Sequence, residues 1–252
     1  MIIVNGNISR EESIILDSGY NFGRGVFETI LVKDRPVFLK QHCQRMKNGL
    51  TKLDIHNQVD EEYIMKCVEK YEIKNCVLKV IATEKNTVIS TREVPYKPED
   101  YIGGFNLKLS ALKRNPFSHV TYIKSLNYTD SILEKEKASG EGFEEAIFLN
   151  VHDKLAEGCV SNIFFLKSGI IYTPAISCGI LNGIVREWVI ENFKVHEGEF
   201  SLEDIGQADE MFVTNSIMGI MKVRAFEGVK EFKSSEMCTS IRETYESYIR
   251  QY

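Results

Sequence analysis

The chain has 252 residues, 43% of them hydrophobic, which is enough apolar material for a sizeable core in one large domain or two small ones. Its formal charge of −5 is spread along the sequence, with no basic run beyond Lys113-Arg114, and this excludes a phosphate-backbone footprint and a nucleic-acid partner. No window approaches the roughly 18 apolar residues of a membrane span, no basic-then-apolar leader opens the chain, and six scattered cysteines and five histidines lack metal-ligand spacing; the reading is of a cytoplasmic protein with reduced thiols and no metal.

In chain order, "MIIVNG", "VFETILVK", the turn "DRP" and "VFLK" predict strand, strand, tight turn, strand. Leu39, Cys43, Met46, Leu50 and Leu53 recur at helical spacing over 40–53, and a second helical pattern covers 60–71 before "CVLKVIAT" resumes the sheet. Residues 84–100 are polar and hold two of the five prolines, which predicts a long loop of the kind that often carries function. "FNLKLSAL" alternates as a strand and "KRNPFSHV" breaks the pattern, so a domain boundary falls near 113–121, giving domains 1–116 and 117–252.

Thr129 or Asp130 can cap a helix that runs through "SILEKEKAS" to Gly140. The strands "EAIFLN", "CVSNIFFLK" and "IIYTP" follow, and "GILNG" leads into the helix "IVREWVIENF". A short helix at "SLEDIGQA", strands at "EMFVTN" and "IMKVRAF", and a terminal helix from Ser234 complete the chain. Strands and helices mix without a regular βαβ repeat, so the predicted class is α+β.

Four stretches carry chemistry. In "YIKSLNY", Lys124 follows an aromatic and an isoleucine just ahead of a helix. An amine held against apolar residues loses preference for its charged form, and a neutral amine is the nucleophile a Schiff base requires; an arbitrary lysine of this kind more often only snorkels. In "KLAEGCVSNIFF", Glu157 lies between a polar turn and an apolar strand, where a carboxylate could keep a pyridinium nitrogen protonated or simply close a turn. "GILNGIV" runs a glycine-punctuated loop into a helix, leaving the amides of Ile184 and Val185 available to an anion. "VTNS" places the Ser216 hydroxyl at a strand end.

Together with "DSGYNFGRGVFETI", "FLKQHCQRM", "EEAIFLN", "IIYTP" and "MFVTNSI", these stretches stand in an order that resembles the fold-type IV pyridoxal-phosphate enzymes along nearly the whole chain. The resemblance implies a two-domain architecture with a smaller N-terminal domain and a barrel-like C-terminal domain, pyridoxal 5'-phosphate as cofactor, and a homodimer. It implies that Lys124 carries the cofactor and that Glu157 partners the pyridine nitrogen. Arg45 would bind the phosphate, with Gly183, Ile184, Val185 and Ser216 completing the cup, and Leu181 would lie against the ring face away from the lysine. With a one-residue gap after Lys124, Tyr128 aligns with a tyrosine near the cofactor's phenolic oxygen.

Three activities share that scaffold: branched-chain aminotransfer, D-amino-acid aminotransfer and cleavage of 4-amino-4-deoxychorismate to pyruvate and 4-aminobenzoate, a folate precursor. Where the two aminotransferases typically show Gly-Ile-Thr-Arg and Glu-Ile-Thr-Pro, this chain has "GIVR" and "GIMK", departures similar to the lyases. Thr29 in "VFET" and Met218 in "TNSIM" look like lyase versions of substrate-side positions, and Arg92 is what residues 84–100 offer toward a carboxylate trap. The expected activity is therefore the lyase, with aminotransfer as the alternative.

Overall fold

The computed structural model describes residues 1–8 and 14–252. These form two compact units, one made of Met1–Pro95, Ile123–Asn127 and Tyr252, the other of Tyr96–Tyr122 and Tyr128–Gln251. The division differs from a single cut after residue 116. The strand before that cut is hydrogen-bonded into the second unit's sheet, and Ile123–Asn127 is hydrogen-bonded into the first unit.

In the first unit, β1 (Ile2–Val4), β2 (Asn7–Ile8), β3 (Val26–Val32), β4 (Cys76–Ala82) and β5 (Thr87–Arg92) form an antiparallel sheet ordered β2-β1-β5-β4-β3. A short helix α1 (Ser18–Phe22) precedes β3, and α2 (Leu39–Lys52) and α3 (Glu61–Lys70) follow it. Alternation along β3 and β4 sends Val26, Ile30, Leu78 and Val80 to the face that buries Met46, Leu50, Ile64 and Val68 of the helices. Each such side chain stabilises the fold by about 1.5–3 kcal/mol.

Two expectations are corrected here. "VFLK" is not a strand: Val37 and Phe38 are buried, Phe38 takes a left-handed conformation with φ 54°, and α2 begins at Leu39. The run is hydrophobic because it plugs the core at a helix start. Residues 84–100 are not one loop either, since Thr87–Arg92 pairs with both β4 and β1. Its polar residues fall on both faces, Thr87 and Thr91 on the side of core residue Ile89 and Ser90 and Arg92 on the other, so no apolar alternation marks the strand by composition.

The second unit holds nine strands: β6 (Phe105–Arg114), β7 (Glu145–Asn150), β8 (Leu155–Gly158), β9 (Asn162–Lys167), β10 (Ile170–Pro174), β11 (Val195–Gly198), β12 (Glu210–Asn215), β13 (Gly219–Phe226) and β14 (Lys230–Glu231). Their order is β11-β10-β9-β12-β13-β6-β7-β8, with β14 beside β13, and parallel pairs (β10 with β11, β6 with β13 and β7) mix with antiparallel ones. The helices are α4 (Pro98–Gly103), α5 (Thr129–Gly140), α6 (Ile184–Asn192), α7 (Leu202–Gly206) and α8 (Glu236–Tyr248). The expected strand "CVSNIFFLK" starts only at Asn162, because residues 159–161 turn the chain between β8 and β9. Helix α5 ends at Gly140 and α6 begins after Gly183, as the glycine punctuation predicts; Thr129, offered as a cap, is the first helical residue instead. The acidic stretch "SLEDIGQADE" contributes buried Glu210, which accepts from the amides of Met237 and Cys238 at the start of α8. The class is α+β, as expected. Among the described residues no helix is long and apolar enough to cross a membrane.

Candidate active site

In the first unit, the segment carrying Lys124 is pinned to β3 by its backbone. The Phe27 amide donates to the Lys124 carbonyl at 2.9 Å, the Leu126 amide donates to the Gly25 carbonyl at 3.0 Å, and Ile123 is buried in the core. The lysine itself is half-buried, with its Nζ 4.4 Å from the centroid of the Phe27 ring. The turn before β3 depends on Gly23, whose φ of 66° caps α1 in the left-handed region. The Asn127 side chain donates to its carbonyl at 3.0 Å, so both ends of the lysine segment are held.

Arg45 lies on α2, one turn after His42, and both side chains converge on Glu28 of β3. Arg45 meets the carboxylate through Nε and Nη2, each at 2.7 Å, and His42 Nδ1 lies 2.7 Å from Oε2. Burial alone would raise the Glu28 carboxyl, but the Arg45 charge and hydrogen bonds, joined by His42, hold it down at about 2. The histidine goes the other way: burial lowers its basicity more than Glu28 restores it, so it is held neutral. Thr29 follows Glu28 on the opposite face of β3, half-buried, and Arg92 ends β5 exposed.

In the second unit, Glu157 ends up nearly buried in β8. Its Oε2 accepts from the Leu181 amide at 2.9 Å and its Oε1 lies 3.3 Å from Arg114 Nε. Arg114 in turn lies over Phe148, 4.0 Å from the ring centroid, and donates to Ser131 at 2.8 Å. The Tyr128 hydroxyl donates to the Cys159 carbonyl at 2.7 Å; burial and then the Glu157 charge push the phenol well above its ordinary value. The turn after Glu157 is tied down by buried Glu145, which accepts from the Ser161 hydroxyl at 2.9 Å.

The loop 181–183 is gathered by Asn162, which donates to the Leu181 carbonyl at 2.8 Å. A β-carbon on Gly183 would stand 2.0 Å from Asn162 Oδ1, so only glycine permits this approach. Gly183 is also the N-cap of α6 and supplies no side-chain cap, which leaves the helix's first amides to another acceptor. Ser216 lies in the turn between β12 and β13, where Asn215 Oδ1 accepts from the amides of Ile217 and Met218, each at 2.9 Å. Two residues before Ser216, the Thr214 hydroxyl is buried with no hydrogen-bond partner, and Thr214 stands opposite Asn162 in the ladder. An uncapped helix start, a glycine that must stay bare and a buried orphan hydroxyl fit a phosphate group. Met218 is different from the expectation of a substrate-facing side chain: it is buried in the apolar cluster, and its carbonyl accepts from the Tyr101 hydroxyl at 2.9 Å.

Within the first unit the structure thus groups Lys124, Arg45 and Thr29 around β3, and within the second Tyr128, Glu157, Leu181 and Gly183 around the β8 end. Sequence reasoning missed Glu28, His42, Arg114, Glu145 and Asn162. A glutamate inside the apolar strand "VFETILV", and a histidine and arginine three apart on one helix, were available signals for the first cluster. Arg114 and Asn162 left none.

The family profile described as amino-transferase class IV matches residues 25–226. The chain is 31% identical to the aminodeoxychorismate lyase of Bacillus subtilis, over 95% of this chain and 91% of that protein. It is 28% identical to a D-alanine aminotransferase of Listeria monocytogenes, over 91% and 88%. Among solved structures, a branched-chain amino acid aminotransferase from T.th. with pyridoxamine 5'-phosphate superposes with a TM-score of 0.87 at 23% identity, covering 97% of this chain and 92% of that one, which is the fold-type IV architecture.

Proposed function

The chain belongs to the amino-transferase class IV family, whose members use pyridoxal phosphate, and from that premise we propose that it is a lyase splitting 4-amino-4-deoxychorismate into pyruvate and 4-aminobenzoate. The observation that carries the reading is the 31% identity to the Bacillus subtilis lyase over nearly the whole chain. The "GIVR" and "GIMK" departures from the aminotransferase pattern support it.

Bound pyridoxal phosphate supplies an aldehyde for the substrate's amino group and a pyridine ring that accepts an electron pair. Lys124 would carry the cofactor and, as the amine, would take the proton from the carbon bearing the substrate's amino group. The ether C–O bond then breaks, and the lysine ammonium returns a proton to the departing enolpyruvate while the remaining ring becomes aromatic. Glu157, whose position is set by the Leu181 amide and Arg114, would hold the proton on the pyridine nitrogen. Arg45, the amides from Gly183 to Val185 and the Ser216 hydroxyl are the groups that would bind the phosphate. Leu181 would pack against the ring, and Tyr128 would lie near its phenolic oxygen. The chain works as a homodimer, a reading supported by exposed Tyr20 and Phe22 beside the strand that leads to Glu28.

The test is release of fluorescent 4-aminobenzoate from aminodeoxychorismate with no oxo acid present, at about 1 s⁻¹ or faster. The second reading, aminotransfer, is favoured by the Listeria monocytogenes relative at 28% identity. It requires instead that an amino donor alone convert the bound cofactor to its amine form.

A further inference from the structure

The first turn of α6 carries a buried arginine where the helix dipole favours an anion. Arg186 stands three residues after the N-cap Gly183 and is 2% exposed. Its Nη2 donates to the Pro174 carbonyl at 2.9 Å and to Glu197 Oε2, so it grips the neighbouring parallel strands β10 and β11, in which Pro174 stands opposite Gly198 and Thr173 opposite Glu197. Nη1 donates to Asn182 Oδ1 at 3.0 Å, and the Asn182 side chain donates in turn to Glu187 of the same helix. Nε is buried without a hydrogen-bond partner, so the guanidinium spends its fork on these three acceptors. The residues on either side of Asn182 are also constrained: Asn162 holds the Leu181 carbonyl, Glu157 holds the Leu181 amide, and Gly183 has no room for a β-carbon. The loop 181–183 is thus held by β8 and β9 on one side and, through Arg186, by β10 and β11 on the other.

We infer that Arg186 is a positioning residue for the loop that binds the cofactor's phosphate: by fixing Asn182 against β10 and β11 it keeps the amides of Gly183, Ile184 and Val185 aimed at the anion. A cation in the first turn opposes the helix dipole, and burying it costs more; Glu197 and the two neutral acceptors answer both penalties. A planar guanidinium meets acceptors on two sides at fixed angles, which the single ammonium of a lysine cannot do. Amides aligned in advance bind an anion more tightly, because the ordering of the loop is complete before the ligand arrives. The inference rests on the phosphate reading of this loop and not on the choice between lyase and aminotransferase. It gives the arginine of "GIVR" a task that touches neither substrate nor cofactor.

The test titrates the full chain, stripped of bound cofactor, with pyridoxal phosphate and with pyridoxal, following the absorbance of each. The parent protein should prefer pyridoxal phosphate by about a hundredfold or more. Arg186→Lys keeps the charge but cannot fork to three acceptors, and Asn182→Ala removes the grip while leaving Arg186 with Glu197 and Pro174. Each should weaken pyridoxal phosphate by about tenfold and pyridoxal by less than about twofold. The two together should cost about as much as either alone, because they cut one linkage. Urea denaturation of each variant separates a loosened loop from a partly unfolded chain, and Asn182→Ala, at a half-buried position, decides the matter where Arg186→Lys does not fold. Equal weakening of both ligands, a preference within about twofold of the parent in either variant, or losses that multiply to about a hundredfold in the double variant would each overturn the role of Arg186 while leaving the phosphate site in place. A parent protein that binds the two ligands alike would instead remove the phosphate site itself, and the inference with it.

Discussion

Glu28 and Glu157 are both buried carboxylates beside an arginine, one in each unit, and they are held by different means. Glu28 is gripped by side chains: two 2.7 Å bonds from Arg45 and one from His42 tie a strand to a helix. Glu157 is held by the backbone of the loop ahead of α6, through the Leu181 amide at 2.9 Å, with Arg114 at 3.3 Å. The first arrangement fixes how a helix seats on a sheet. The second fixes where a carboxylate stands relative to a helix start that suits a phosphate. A buried ion pair therefore chiefly seats a helix in one unit, where it also orients Arg45, and positions a carboxylate in the other, and substitution should separate the two.

The largest effect falls on the pair that seats the helix. Glu28→Gln leaves the Arg45 charge without its carboxylate and should cost about 3–5 kcal/mol of unfolding free energy, read by urea denaturation. A loss below about 1 kcal/mol would mean that Arg45 is satisfied by other groups and that the two carboxylates are alike. Glu157→Gln keeps the acceptor for the Leu181 amide, so its stability should change by no more than about 1 kcal/mol. Its turnover should instead fall by about 10²-fold, because a neutral amide cannot hold a proton on the pyridine nitrogen. If Glu157→Gln loses stability as Glu28→Gln does with turnover intact, Glu157 too is only packing. Between these lies Gly183→Ala: a β-carbon 2.0 Å from Asn162 Oδ1 must displace that amide, which holds the Leu181 carbonyl, or the loop itself. Cofactor affinity should drop by about tenfold, measured by absorbance titration with pyridoxal phosphate, while pyridoxal without its phosphate should bind nearly as before.

Sequence pattern and structure agree where one physical signal dominates. The helix over Leu39–Lys52 follows from apolar spacing, and the ends of α5 and α6 follow from Gly140 and Gly183. They part where one signal serves two ends. "VFLK" is apolar because Val37 and Phe38 plug the core, not because the chain is extended. Thr87–Arg92 hides its strand because threonines share the inner face with Ile89, which removes the apolar alternation. The site shows the same limit. Lys124, Glu157 and the loop before Ile184 could be proposed from sequence because motifs travel with the residues around them. Glu28 with His42 and Arg114 with Glu157 pair across long stretches of chain, and only the folded register brings them together.

The smallest effect tests the histidine that completes the Glu28 cluster. His42 is buried and held neutral in the folded chain, so its folded pKa lies below the 6.5 of an exposed histidine. As pH falls through 6.5 the unfolded chain takes up a proton that the folded chain refuses, and stability is lost on the acid side of that value. Glu28 acts in the same direction but only below about 4.5, the value its carboxyl regains on unfolding, because its folded value is about 2. Between pH 6.5 and 4.5 the slope from this cluster therefore belongs to His42 alone, and it reaches at most about 1.4 kcal/mol per pH unit. His42→Asn places an amide donor near the position of Nδ1 and removes the titration, so urea curves at about pH 7, 6 and 5 should run flatter than those of the parent protein. An unchanged slope would show that Glu28 holds its histidine protonated when folded, which would make the cluster a charged triad and bring its behaviour closer to that of an ordinary salt bridge.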